Sequence, residues 1–177
     1  NEEATRARFR DGWYWSGDLA YRDADGWLYF AGRSNEWLRV DGENFAAGPI
    51  ERILTRHPDV ALAAVYAVPN ADVGDDCMAA LILRPGAAFD ATAFAEFLAA
   101  QRDLGTKMAP RYVRIAESLP STETNKILKR VLRDERWDCG DPVWLREGMT
   151  YRLATDADRK AIVAVLEARG RRNVLDR

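Results

Sequence analysis

Two uninterrupted apolar runs do most to limit how this chain can fold. Residues 60–68 read Val-Ala-Leu-Ala-Ala-Val-Tyr-Ala-Val, and residues 78–83 read Met-Ala-Ala-Leu-Ile-Leu. Runs this short, bounded by turn signals, read as buried strands. A polar loop over 70–76 separates them, and Arg84-Pro85-Gly86 closes the second. Upstream, Gly48-Pro49 opens a helix with proline at or near its first position. Its apolar face is Ile50, Ile53 and Leu54, and His57-Pro58 ends it. Downstream, Asp90 can cap a helix whose buried face is Phe94, Phe97 and Leu98. A third strand follows over 112–116, then a loop over 117–125 and a short helix over 127–133. This alternation of elements fits an α+β or α/β domain over residues 37–135.

The flanking segments differ in character. Residues 11–33 are aromatic and read as a hairpin turning at Asp25-Gly26 into Trp27-Leu28-Tyr29-Phe30. Residues 37–40 form a short strand ending at a second turn dipeptide, Asp41-Gly42. Near the end, Met149, Tyr151 and Leu153 alternate as a strand does. Thr155 to Asp158 then starts a helix carrying Ile162, Val165 and Leu166 as far as Gly170.

Composition excludes several classes. The chain has 177 residues, enough for one domain or one domain plus a fragment of another. Its net charge of −2 lacks the basic excess of a nucleic-acid binder. Cys77, Cys139 and the single His57 have no metal-ligand spacing, so no metal site is expected. No apolar run is long enough to cross a bilayer. The start at Asn1 without Met, followed by a charged stretch and no signal peptide, reads as a cut through a longer protein or a cloning boundary. Of 26 basic residues only four are lysine: Lys107, Lys126, Lys129 and Lys160. A chain that uses arginine wherever a positive charge suffices leaves lysine where a compact ammonium matters.

Three further stretches carry chemistry. They are Tyr14-Trp15-Ser16-Gly17-Asp18, then Gly32-Arg33-Ser34-Asn35-Glu36 running on to Gly42-Glu43-Asn44 and Ile50-Glu51, then Pro120-Ser121-Thr122-Glu123-Thr124-Asn125-Lys126. In this order and spacing they resemble the C-terminal signatures of the adenylate-forming superfamily of acyl-CoA synthetases, adenylation domains and luciferases. Gly42-Glu43-Asn44-Phe45-Ala46, with Asp141-Pro142-Val143-Trp144 and Tyr151-Arg152-Leu153 later, is most similar to the very-long-chain acyl-CoA synthetase and fatty-acid transport protein branch.

The resemblance implies roles. Asp18 would accept hydrogen bonds from both ribose hydroxyls of ATP, and Arg33 would reach the same hydroxyls through its planar fork. Taken alone, Gly17-Asp18 would read as a turn. Lys126 would be the catalytic residue, its ammonium offsetting the charge that builds on phosphorus as a carboxylate attacks. Glu36 would be the hinge about which the small domain rotates between the two half-reactions. Gly42 and Glu43 would line the coenzyme A channel, glycine allowing close backbone approach. Three positions depart from the family pattern. Asn125 stands where glycine is usual, Glu36 where aspartate is frequent, and Pro49 where the related branch often has glutamate. Asparagine tolerates left-handed backbone, so the loop shape can survive.

The implied fold is α+β: a small mobile domain with a short hairpin and a three-stranded sheet flanked by helices, preceded by a β-rich remnant of a larger domain. The expected divisions are 1–35, the end of that large domain; 36–140, the mobile domain; and 141–177, a tail. The implied activity is an ATP-dependent acid–thiol ligase of fatty acids, with ATP, Mg2+ and coenzyme A as reactants and no metal held by this chain. The phosphate loop and acyl pocket of such enzymes lie upstream, so the isolated chain is expected to be inactive. Its expected partners are its own N-terminal large domain and these small molecules, with no nucleic acid. Eight of the 18 aromatic residues lie in the first 35, which allows self-association. The expected location is cytoplasmic, peripheral at the inner membrane face. Two rival readings are a non-catalytic interaction module and an enzyme that loads a carrier-protein phosphopantetheine.

Overall fold

The computed structural model describes residues 2–33, 36–72 and 74–176. It opens with helix α1 (Glu2–Arg8) and the short paired strands β1 (Phe9–Arg10) and β2 (Trp13–Tyr14). Strands β3 (Asp18–Arg22) and β4 (Leu28–Arg33) then form the expected antiparallel hairpin. Its turn is built by chemistry visible in the sequence. Gly26 takes φ +92°, and the Asp23 carboxylate accepts the backbone N–H groups of Asp25 and Trp27.

A second hairpin pairs β5 (Trp37–Val40) with β6 (Glu43–Ala46). Both central residues have positive φ, +52° at Asp41 and +84° at Gly42, as a type I′ turn demands. Helix α2 (Ala47–Leu54) follows directly. It begins at Ala47, one residue before Gly48, and Pro49 sits in its first turn, where a missing N–H costs no helical bond. Ile50, Ile53 and Leu54 are buried, as the periodicity requires.

The remaining elements build one sheet and its covering helices. In chain order they are β7 (Val60–Pro69), β8 (Asp75–Leu83), α3 (Ala91–Ala100), β9 (Tyr112–Ile115), α4 (Lys129–Glu135), β10 (Val143–Glu147), β11 (Thr150–Leu153) and α5 (Asp156–Ala168). The sheet order is β11-β10-β9-β8-β7. Only β8 and β9 are parallel, joined by a crossover containing α3. Asp90 caps α3 as expected, accepting from the N–H groups of Thr92 and Ala93 at 2.9 and 3.0 Å.

The apolar runs lack polar alternation because both faces of the sheet are covered. Ala63, Val65, Ala79 and Leu81 point into one core with Ile50, Leu54, Phe94 and Leu98. Their neighbours Ala64, Tyr66, Met78 and Ala80 point into a second core with Leu132, Trp137 and Leu166.

Three expectations need correction. The sheet has five strands rather than three, because residues 143–153 fold back as β10 and β11 onto β9. The segment expected as a tail thus continues the sheet, and α5 closes the second core through Leu166. Arg114 on β9 fastens this segment, donating to Asp141 at 2.6 Å and to Glu135 of α4. Second, the helix expected over 127–133 begins at Lys129, since Ile127 is held in a bridge to Ser121. Third, β8 starts at Asp75 rather than residue 78, its polar first residues extending the pairing with β7.

Candidate functional site

The loop carrying Lys126 is a small closed turn. The Thr122 N–H donates to the Lys126 carbonyl at 2.9 Å, and the Lys126 N–H donates back to Thr122 Oγ1 at 3.1 Å. The Asn125 N–H donates to the Thr122 carbonyl at 2.9 Å. Asn125 takes φ +60°, the left-handed conformation that glycine ordinarily supplies. The substitution of asparagine for glycine is therefore accommodated without opening the loop. The Lys126 side chain is exposed, and among the described residues no carboxylate lies within ion-pair distance of it. Its ammonium is thus presented outward from a loop fixed by its own backbone.

Asp18 and Arg33 come together at the open end of the first hairpin. They are cross-strand partners, first residue of β3 against last residue of β4. The register therefore sets side by side two residues 15 positions apart in sequence that were expected to share one ribose. Asp18 is exposed, and its N–H is held by Ser16 Oγ at 3.1 Å. Ser34 and Asn35, in the same sequence stretch, lie outside the described residues.

Gly42 occupies the tip of the second hairpin, with no atom within 4 Å of where a Cβ would stand. Its positive φ, not crowding, is what calls for glycine here. Glu43 follows at the start of β6. Lys107 bridges this tip, its Nζ 3.2 Å from Glu43 Oε1, 3.6 Å from Asp41 Oδ2 and 3.0 Å from the Asp41 carbonyl. The Glu43 carboxylate, aided by Asp41, holds the Lys107 ammonium above its ordinary pKa. The turn end of β5 docks on the β7–β8 connection and the start of β8, through a Val40–Gly74 bridge and an Arg39 N–H bond to Asp75 at 2.9 Å. Gly74 is obligatory in that contact, because a Cβ there would meet the Arg39 carbonyl oxygen at 2.4 Å.

Glu36 precedes β5. Its carboxylate lies 3.9 Å from Lys129 Nζ, which also pairs with Glu51 at 2.6 Å. Lys107, Lys129 and Glu51 were not among the expected site residues. A usable signal existed for the lysines: only four stand among the 26 basic residues. Among the described residues no group of three or more His, Cys, Asp or Glu side chains is arranged to hold a metal ion. No described helix is long and apolar enough to cross a membrane.

Residues 49–126 match the description of the AMP-binding enzyme C-terminal domain. A steroid-22-oyl-CoA synthetase of Rhodococcus jostii is 48% identical over 178 aligned residues, covering 99% of this chain and 32% of the relative. A medium/long-chain-fatty-acid–CoA ligase of Mycobacterium marinum is 59% identical over 81% of this chain and 29% of its own length. Among solved structures, ATP-bound MatB of Rhodopseudomonas palustris superposes with TM-score 0.66 at 30% identity, covering 77% of this chain and 27% of that one. The o-succinylbenzoate-CoA synthetase of Bacillus subtilis, in complex with its acyl-adenylate, gives TM-score 0.65 at 30% identity, with 77% and 27% covered. The chain spans about a third of the length of the curated relatives it matches.

Proposed function

We propose, from the match of residues 49–126 to the AMP-binding enzyme C-terminal domain, that this chain is the mobile catalytic portion of an ATP-dependent acid–thiol ligase. In this reading a carboxylic acid and ATP give an acyl-adenylate and pyrophosphate, and coenzyme A then displaces AMP. The observation that carries it is the 120–128 loop, which holds Lys126 outward on a closed turn with no competing carboxylate among the described residues. Such an ammonium suits the pentavalent phosphorus of the first step, where charge gathers on the two non-bridging oxygens between the incoming carboxylate and the leaving pyrophosphate. Asp18 and Arg33, paired across the first hairpin, take the ribose. Glu36 is the pivot, with residues 1–35 on its large-domain side and 36–140 moving with residues 141–177. The second hairpin, with Gly42 and Glu43, lines the path of the thiol arm. Magnesium enters on the phosphates of ATP, and no residue of this chain is assigned to it.

The acid is a fatty acid, a reading supported by the names of the mycobacterial relatives. Within that class we keep the very-long-chain and fatty-acid transport branch as the narrower assignment. A cytoplasmic setting, peripheral at the inner membrane face, fits a lipid substrate. The aromatic first part favours one addition. Trp13 is 76% exposed and Trp27 and Phe30 are each 70% exposed, too much apolar surface to leave in water. That face packs against the large domain, and in its absence supports self-association of the chain.

ATP–pyrophosphate exchange by the ligase that contains this chain, measured across acids of different length, tests the assignment. Exchange should peak with fatty acids, and free coenzyme A should accept the acyl group. Transfer to a carrier-protein phosphopantetheine alone would move the chain to the other adenylating class.

A further inference from the structure

The functional reading leaves one half-buried charge unused. Lys129 is the first residue of α4, three positions after Lys126, and its side chain is only 16% exposed. It faces two carboxylates that belong to different parts of the molecule. Glu51 lies on α2, and its Oε1 accepts both Lys129 Nζ at 2.6 Å and the Val65 N–H at 2.8 Å. That N–H belongs to β7, the edge strand of the sheet, so Glu51 also covers an unpaired edge donor. Glu36, the residue assigned as pivot, is the second partner, at 3.9 Å. One contact is short and tied into the core; the other is long and reaches the pivot.

We propose that Lys129 is a positioning residue that clasps the hinge through Glu36, with Glu51 as its fixed anchor. This rests on the hinge reading of Glu36 above. The geometry defines how the clasp opens. Rotation about ψ of residue 36 leaves its side chain with the preceding segment and carries everything after it, Lys129 included, away. Rotation about φ alone moves side chain and domain together and keeps the contact. A ψ rotation therefore breaks Glu36–Lys129 while Lys129–Glu51 persists. Because Lys129 begins the helix that follows the Lys126 loop, the clasp registers catalytic loop and pivot together in one orientation. An ion pair this long, with its carboxylate about a third exposed, is weak, so it biases the orientation without locking it.

The test measures both half-reactions in the intact ligase: adenylation by pyrophosphate exchange, and thioester formation from supplied acyl-adenylate. Glu36→Gln and Lys129→Gln should change the ratio of the two rates in the same direction, by roughly two- to five-fold. The double variant should go no further than Lys129→Gln alone, and Lys129→Arg should restore the ratio. Raising ionic strength should shift the ratio in the unaltered enzyme but not in Glu36→Gln. Glu36→Gln leaves the core untouched, so an unchanged ratio in that variant overturns the clasp even if Lys129→Gln folds poorly. Equal losses in both steps for Lys129→Gln, or additive effects in the double variant, also overturn it. Glu36→Pro separates the two claims. A selective effect of proline with no effect of glutamine removes the clasp and keeps the hinge; since proline fixes φ and leaves ψ free, only a neutral proline together with an unchanged ratio in Glu36→Gln removes both.

Discussion

Lys126→Ala is expected to slow acyl-adenylate formation in the intact ligase by about 100- to 1,000-fold, the typical worth of one oriented electrostatic contact in a transition state. Thioester formation from supplied acyl-adenylate should stay near its unaltered rate. The asymmetry follows from where charge develops. Attack on the α-phosphate brings a carboxylate onto an already anionic phosphorus, and the ammonium offsets that charge only while the bond forms. In the second step the leaving group is AMP, and the reacting centre is a carbonyl carbon. The loop itself should survive the change. Its closure uses the Lys126 backbone N–H and carbonyl with Thr122, not the side chain. Equal loss in both half-reactions would mean that Lys126 supports the structure rather than the chemistry.

Glu36→Pro should have the opposite signature. Proline fixes φ near −65° and removes the backbone donor, so a pivot at this position loses much of its freedom. The adenylation orientation is the one substrates assemble first, and it should be retained. Acyl-adenylate should form and accumulate, while transfer to coenzyme A slows by about 100-fold, as expected when reacting groups are held slightly out of place. Glu36→Ala leaves the dihedrals free and removes only the weak contact with Lys129, so its effect should be a few-fold. Measuring each half-reaction for both variants decides the matter. Indistinguishable behaviour of proline and alanine would rule out a rotation about φ at this position.

The sequence made some of this legible and hid the rest for physical reasons. Local rules worked where a short segment dictates its own geometry: Asp25-Gly26 and Asp41-Gly42 as turns, Asp90 as a cap, Ile50, Ile53 and Leu54 as one buried face. The apolar runs were readable as strands because two cores consume both of their faces. Residues 143–147 were missed. Val-Trp-Leu-Arg-Glu has a mixed pattern, and only its pairing with β9 reveals it as a strand. The start of α4 was misjudged because the Ser121–Ile127 bridge, a contact across the loop, holds Ile127 out of the helix. Among the candidate site residues, the motifs pointed to Asp18, Arg33 and Lys126, and the hairpin register then set the first two opposite each other. Lys129 and Lys107 act through partners 78 and 64 residues away, Glu51 and Glu43, which no local pattern displays. Their one trace in the sequence is the scarcity of lysine.

The account stands or falls on the claim that this chain is half of an adenylating site. The most direct measurement compares ATP–pyrophosphate exchange by the 177-residue chain alone with exchange by the same chain joined to its large domain, under the same fatty acid and ATP. The joined protein should exchange rapidly, and the chain alone, lacking a phosphate loop and an acyl pocket, should not exceed background. Exchange by the isolated chain, or none by the joined protein with any acid tried, would contradict it.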